Sequence, residues 1–161
     1  DSMRFEANDE EAMRIHSIGA VTKPLQPAFC AKPASDQDNL SNGTKLLYAT
    51  ERFDLGSNFA SNTFTAPVTG KYQFNIMAGV LNIDAAAAYI GLYLATSNNT
   101  YYMLGIDPDF QQDQVYWHLD FSVLADMDAS DTAAVYWLQS GGAAQTDLYH
   151  EASFFSGYLV A

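Results

Sequence analysis

The residues with chemistry to offer are two groups of aspartates and a scatter of tyrosines. Asp107, Asp109 and Asp113 fall in one loop with Pro108, and Asp126, Asp128 and Asp131 fall in another. Carboxylates gathered in a loop could serve calcium, which takes about six to eight oxygen ligands. No twelve-residue EF-hand pattern is present, so solvated, turn-forming aspartates are the simpler reading. Calcium is the one cofactor the sequence leaves open. Tyr101 and Tyr102 precede the first acidic loop, Tyr116 and Trp117 follow it, and Tyr149 lies in the last loop. Aromatic faces can stack on sugar rings while carboxylates bind their hydroxyls. Tyr101, Tyr102, Asp107, Asp109 and Asp113 are therefore the candidate ligand-binding set. The competing reading is that such aromatics belong to the core, and the alternation around Trp117 points its ring inward.

Nothing in the chain reads as a catalytic set. The serines lack a Gly-x-Ser-x-Gly elbow. His16, His118 and His150 are far apart, with no i, i+4 pairing. The single cysteine, Cys30, sits in the apolar run Phe29-Cys30-Ala31 and reads as a small buried hydrophobe. It excludes a disulfide framework within the chain and any multi-cysteine zinc motif. Gly141-Gly142 reads as a turn, not as a phosphate loop. The net charge is −12, from 19 acidic against 7 basic residues, which repels nucleic acid and anionic membranes. No apolar run approaches the roughly 20 residues of a membrane-spanning helix. The opening Asp1-Ser2-Met3 reads as the start of a piece cut from a longer protein.

The elements that must position these residues are strands. The chain has 161 residues, 48% hydrophobic and 14% aromatic, which suffices for one packed domain and a short extension. The only stretch with any helical character is Asn8 to Arg14, and Asn8-Asp9 reads equally well as a turn. From Pro27 onward, runs of Val, Tyr, Phe and Thr alternate with Gly, Asn, Asp and Ser clusters, as in an all-β domain. Tyr72, Phe74, Ile76, Ala78 and Val80 share one face of a strand; Val115, Trp117, Leu119, Phe121 and Val123 share one face of another. The runs 89–95, 132–138 and 153–160 are apolar on both faces and need covering twice, once by the opposite sheet and once by a partner subunit. Residues 3–22 read as short strands with too little apolar surface to fold alone. Pro24 and Pro27 punctuate a linker at about residues 22 to 27.

Three ordered stretches carry a family resemblance. Pro27-Ala28-Phe29-Cys30-Ala31 is similar to the opening "PAFSA" strand of the globular heads of complement C1q, with Cys30 at the usual serine. Thr63-Phe64-Thr65-Ala66-Pro67-Val68-Thr69-Gly70-Lys71-Tyr72-Gln73-Phe74 resembles the central signature F-T-A-P-x-x-G-x-Y-x-F. Ser153-Phe154-Phe155-Ser156-Gly157-Tyr158-Leu159-Val160 resembles the closing S-x-F-S-G-x-L-L strand. Ser130-Asp131 stands where that family usually has Gly-Asp. The resemblance implies a ten-stranded jelly-roll β-sandwich of the C1q and tumour necrosis factor type over residues 27–161, assembling as a homotrimer. In the signature, Pro67 and Gly70 would bracket a tight turn, with Gly70 tolerating positive φ. The resemblance further implies that Tyr72, Phe74, Ile76, Phe121, Val123, Phe154 and Tyr158 lie inside the sandwich. It puts Phe155, Gly157 and Leu159 on the trimer-facing side, with Met77 and Leu124 nearby. Gln73 and Asn75 would make that interface partly hydrophilic.

The extension carries a second resemblance. Residues 11–21, Glu-Ala-Met-Arg-Ile-His-Ser-Ile-Gly-Ala-Val, are similar to the E-R-M-R-I-x-S-x-G-x-V segments of bacteriophage tail fibres and other virion proteins. The expectation is a trimeric, non-enzymatic distal module of a phage tail or head fibre. Residues 1–26 would form the end of its shaft. Its partners would be other virion proteins and a host-surface glycan or protein, with neither nucleic acid nor membrane insertion. The alternatives are a secreted, extracellular C1q-like recognition protein and a purely structural trimerisation cap.

Overall fold

The computed structural model describes residues 2–161 and is all-β. Three short strands come first: β1 (Met3–Ala7), β2 (Glu10–Ile15) and β3 (Val21–Thr22). They form a separate antiparallel sheet of order β1-β2-β3. Asn8 and Asp9 both take positive φ, 53° and 64°, and make the two-residue hairpin turn that joins β1 to β2. The turn reading of Asn8-Asp9 therefore holds and the helical one fails. Met3 pairs with Ile15, Phe5 with Met13 and Ile15 with Val21, so these five residues share one face. Met3, Phe5 and Val21 remain exposed there. The other face carries an ion-pair cluster in which Glu11 holds Arg14 and approaches Arg4 at 3.6 Å.

The remaining ten strands are β4 (Ala28–Lys32), β5 (Thr50–Leu55), β6 (Phe59–Ala60), β7 (Thr63–Thr65), β8 (Gly70–Ile83), β9 (Ala87–Thr96), β10 (Thr100–Ile106), β11 (Gln114–Met127), β12 (Thr132–Gly141) and β13 (Asp147–Leu159). They build two five-stranded antiparallel sheets. The first has the order β11-β8-β13-β4-β5 and the second β10-β9-β12-β7-β6. Ten strands in two facing sheets agree with the expected jelly roll.

The inward faces meet in an aromatic cluster. Phe29 of β4 stacks on Phe59 at 4.6 Å and Phe64 at 5.0 Å, and meets Phe155 edge-on at 4.9 Å. Phe74 and Tyr72 of β8 close the cluster from the side. Each such ring is worth roughly 1.5–3 kcal/mol by burial alone. Trp137 of β12 is also fully buried, its Nε1 donating to Gln139 Oε1 at 3.1 Å. The long β4–β5 connection lies along β12 as an irregular strand. Leu46 N donates to Val135 O, Trp137 N donates to Thr44 O, and Lys45 pairs with Tyr136.

The phase of the last strand corrects the expectation. Phe155 is fully buried and packs on Phe29, Phe59, Phe74 and Tyr48, so it does not face a partner subunit. Gly157 also points inward: a Cβ there would lie 2.5 Å from a Phe74 ring carbon and 2.9 Å from Phe29. Its glycine makes room for two core rings, not for a neighbouring backbone. Leu159 packs against the core as well. Tyr158 faces outward, 46% exposed, with Phe154 on the same side by alternation. A bulge between Tyr149 and Phe154 resets the alternation.

Two smaller expectations also change. Gly70 is not in the left-handed region; a Cβ there would meet Ala161 O at 2.6 Å and Leu159 Cδ1 at 2.7 Å, so the close C-terminal strand demands the glycine. Val115 and Trp117 lie on the inward face of β11 yet remain exposed. β11 is an edge strand and is covered by the opposite sheet only from Leu119 onward. Trp117 packs on Phe110 of the preceding loop instead, at 5.6 Å.

Candidate functional site

The acidic loop between β10 and β11 does not converge on a centre. Asp107 and Asp109 are exposed, on either side of the buried Pro108. Asp113 turns away from them: its carboxylate accepts Ala85 N at 3.0 Å and Gln145 Nε2 at 2.9 Å. Those two bonds hold its carboxyl below the usual aspartate range. Asp113 thereby ties the β8–β9 turn to the β12–β13 connection. In the second acidic loop, Asp131 accepts Asp128 N at 2.8 Å, and Asp126 pairs with Lys71 at 2.5 Å. Among the described residues, no three His, Cys, Asp or Glu side chains gather at metal-binding distance. Asp113 and Asp131 organise turns, Asp126 pairs across to the neighbouring strand, and Asp107 and Asp109 face solvent.

Tyr101 and Tyr102 also part company. Adjacent residues on a strand point to opposite faces. Tyr101 packs against the core, while Tyr102 is 65% exposed on the outward face of the second sheet. The five-residue candidate set is thus not one site.

The structure instead assembles a row that sequence reading missed. Across β10, β9 and β12, Tyr102 pairs with Tyr93 and Tyr93 with Tyr136. Their rings lie 5.4 Å and 5.0 Å apart, and the Tyr93 and Tyr136 planes differ by 8°. Lys45, paired to Tyr136, ends the row, and its ammonium is held by Ser61 O at 3.0 Å and Thr63 Oγ1 at 2.5 Å. Burial between its neighbours, and then the adjacent phenols, push the Tyr93 hydroxyl pKa upward. The three tyrosines were visible in sequence; their alignment depends on register, which no local pattern encodes.

The first sheet presents a different outward face. One transverse row runs Leu55, Ala28, Tyr158, Gln73 and Leu124 across β5, β4, β13, β8 and β11. The next runs Phe53, Cys30, Ser156, Asn75 and Ser122. Phe154, Met77 and Asp120 begin a third. Phe53, Leu55, Tyr158 and Leu124 are each exposed by about half, although no layer of this chain covers them. Cys30 lies on this face, half-buried and not in the core, and burial raises its thiol pKa. Gln73 and Asn75 sit among the apolar residues, so the face is mixed.

The three histidines remain apart. His16 reaches Thr22 Oγ1 at 3.0 Å in the N-terminal sheet, and His118 is exposed on β11. His150 on β13 lies 2.6 Å from Asp36 and 2.9 Å from Glu151.

The backbone decides the fold relationship. The globular domain of zebrafish complement 1qA superimposes with a TM-score of 0.61 at 16% identity, covering 84% of this chain and 98% of that one. Murine APRIL gives 0.60 at 11% identity, covering 84% and 99%. The Eiger TNF of S. frugiperda gives 0.58 at 12% identity, covering 85% and 92%. The fold is the C1q/TNF jelly roll. No family model and no curated protein matches the sequence itself. Within this jelly roll, Met77 and Leu124 lie on the outward face of the first sheet, whereas Phe155, Gly157 and Leu159 lie inside.

A cleft of about 510 Å³ opens where the N-terminal sheet meets the jelly roll, lined among others by Ala12, Leu25, Pro67, Val68 and Val160. Gln26 donates its side-chain amide to Leu159 O there, and Leu159 N donates to Pro27 O at 3.0 Å. The extension is thereby pinned to the same end of the domain as its own C-terminal strand.

Proposed function

We propose that this chain is a homotrimeric, C1q-like binding module at the distal end of a phage tail or head fibre, used for attachment to a host-surface glycan or protein. The observation that carries the trimer is the outward face of the first sheet. Leu55, Phe53, Tyr158 and Leu124 are apolar and uncovered on a sheet whose other face is already packed. Exposed apolar surface of this kind marks an interaction site. Two further copies, each offering the same sheet, would cover it around a three-fold axis. The small side chains of the middle row, Cys30 and Ser156, suit close approach.

The fibre setting draws on the N-terminal sheet. Met3, Phe5, Met13, Ile15 and Val21 share one face, and three of them are exposed. Three such sheets would close on one another as the end of a shaft. The likeness of residues 11–21 to phage virion segments supports a virion location, and these residues form β2, a tight turn at Gly19 and the start of β3. In this reading the module acts by binding, and its dispersed histidines and the turn-engaged Asp113 and Asp131 are in keeping with that.

Attachment is testable with labelled protein on a panel of bacterial strains. The trimer is expected to decorate a subset. Leu124→Asp, expected to be monomeric, should lose about a hundredfold in retention, because three linked sites are replaced by one. Decoration of no strain would contradict attachment, and equal retention of both proteins would contradict a multivalent mode. Release of reducing ends from a host polysaccharide by the purified trimer would overturn the non-enzymatic reading.

A further inference from the structure

None of the five strands of the second sheet carries an Asp, Glu, Lys, Arg or His, although the whole chain has 19 acidic and 7 basic residues. Its outward face is built instead from the Tyr102–Tyr93–Tyr136 row, with Leu104 and Leu138 in the adjoining row on either side of Gly91. Leu104 is exposed to a similar degree as Tyr102. In a trimer formed through the first sheet, this face points away from the axis and stays open.

The geometry of the row dictates what it can hold. Tyr93 and Tyr136 stack nearly parallel, and Tyr93 is flanked on its other side by Tyr102. The faces of Tyr93 are therefore occupied. Tyr102 ends the row on the edge strand β10, so one face of its ring is free. A free aromatic face beside a line of phenol groups combines apolar stacking with neutral hydrogen bonding. The Lys45 ammonium, bonded to Ser61 O and Thr63 Oγ1, keeps its charge but stands at the opposite end of the row from Tyr102, beyond Tyr93 and Tyr136. At the Tyr102 end a charged ligand would lose hydration without gaining a partner. A molecule with flat apolar faces and many neutral hydroxyls meets no such loss.

We infer that the outward face of the second sheet binds an uncharged oligosaccharide, one sugar ring stacking on Tyr102 and its neighbours bonding the hydroxyls of Tyr93 and Tyr136. The inference rests on the attachment reading and names its ligand class. Three equivalent sites per trimer would face outward, where several chains of a surface polysaccharide could be engaged together.

The test is an array of defined neutral and acidic oligosaccharides probed with the trimer and with Tyr102→Ala, Tyr93→Phe and Tyr136→Phe. Neutral glycans are expected to be retained and acidic ones not. Tyr102→Ala should lower retention about tenfold, the loss of one stacked ring. The two phenylalanine variants preserve the stack and remove only hydroxyls; each should lower retention about threefold with the thermal midpoint unchanged. Failure to retain any neutral glycan, preference for acidic ones, or undiminished retention by Tyr102→Ala would overturn the inference. Such a failure is distinguishable from failure of attachment: a trimer that decorates cells regardless of Tyr102 keeps the attachment reading and loses this one. A trimer that retains neutral glycans through Tyr102 but decorates no strain does the reverse.

Discussion

The two sheets of the jelly roll share one core and differ in what they show to the outside. The first sheet is charged along its strands, with Lys71, Asp120, Asp126, Asp147, Glu151, Glu51 and Arg52 among them, and carries an apolar band through Tyr158 and Leu124. The second sheet has no charge on any strand and aligns three tyrosines. A charged rim around an apolar band suits a protein partner that must find one register. An aromatic face whose strands carry no charge, with Lys45 only at its far end, suits a ligand without charge. Under the proposed function and the inference drawn from the tyrosine row, assembly and recognition would fall on opposite sides of the same architecture.

The largest effects belong to what both sheets share. Phe155→Ala removes a ring that touches both layers and should cost about 3–5 kcal/mol in chemical denaturation. Gly157→Ala should cost roughly 1–3 kcal/mol, because its methyl meets the Phe74 and Phe29 rings. If Gly157 lined a subunit interface instead, this change would alter trimer dissociation and leave the core intact.

Substitutions on the outward faces should separate the sheets. Leu124→Asp is expected to yield folded monomers, and Tyr102→Asp folded trimers, both read by light scattering. A monomeric Tyr102→Asp would erase the distinction drawn between the two faces.

A smaller effect is expected in the loop before β12. Ser130 takes φ of 76°, a left-handed conformation that favours glycine, at the position where the C1q signature usually has Gly-Asp. Ser130→Gly should therefore stabilise the domain by about 1 kcal/mol, measured by denaturant midpoint.

Smaller still is a pH effect near the start of β13. Asp36 accepts the backbone N–H of His150 at 2.8 Å and lies 2.6 Å from its ring, which lowers the Asp36 carboxyl below its ordinary value. A carboxyl with a depressed folded pKa stabilises the fold above the unfolded pKa, about 4, and loses that contribution as pH falls through the folded value. The pair is well exposed, so Asp36→Asn should cost less than about 1 kcal/mol at neutral pH and nothing at strongly acidic pH. Addition of EDTA or calcium should leave the melting temperature unchanged, since Asp113 and Asp131 are engaged in turns.

What was legible in the sequence followed from local chemistry. Asn8-Asp9 carries a turn signal that competes with a helical one, and the clean alternation of Tyr72, Phe74 and Ile76 marks the inward face of β8. In the last strand Phe154 and Phe155 are both aromatic, so period two has no polar partner to set its face; the phase rests on the resemblance alone, and the buried Phe155 and Gly157 reverse it. Trp117 was placed inward by a correct alternation on a strand end that the opposite sheet does not reach. The tyrosine row was hidden for a different reason: Tyr93, Tyr102 and Tyr136 become neighbours only through strand pairing, which is a property of the whole sheet.

Sedimentation equilibrium of the intact protein at micromolar concentration tests the central claim most directly. The account predicts a species of three times the 17.7 kDa chain. A stable monomer would contradict it, since the apolar band through Leu55, Phe53, Tyr158 and Leu124 would then have no partner copy to cover it.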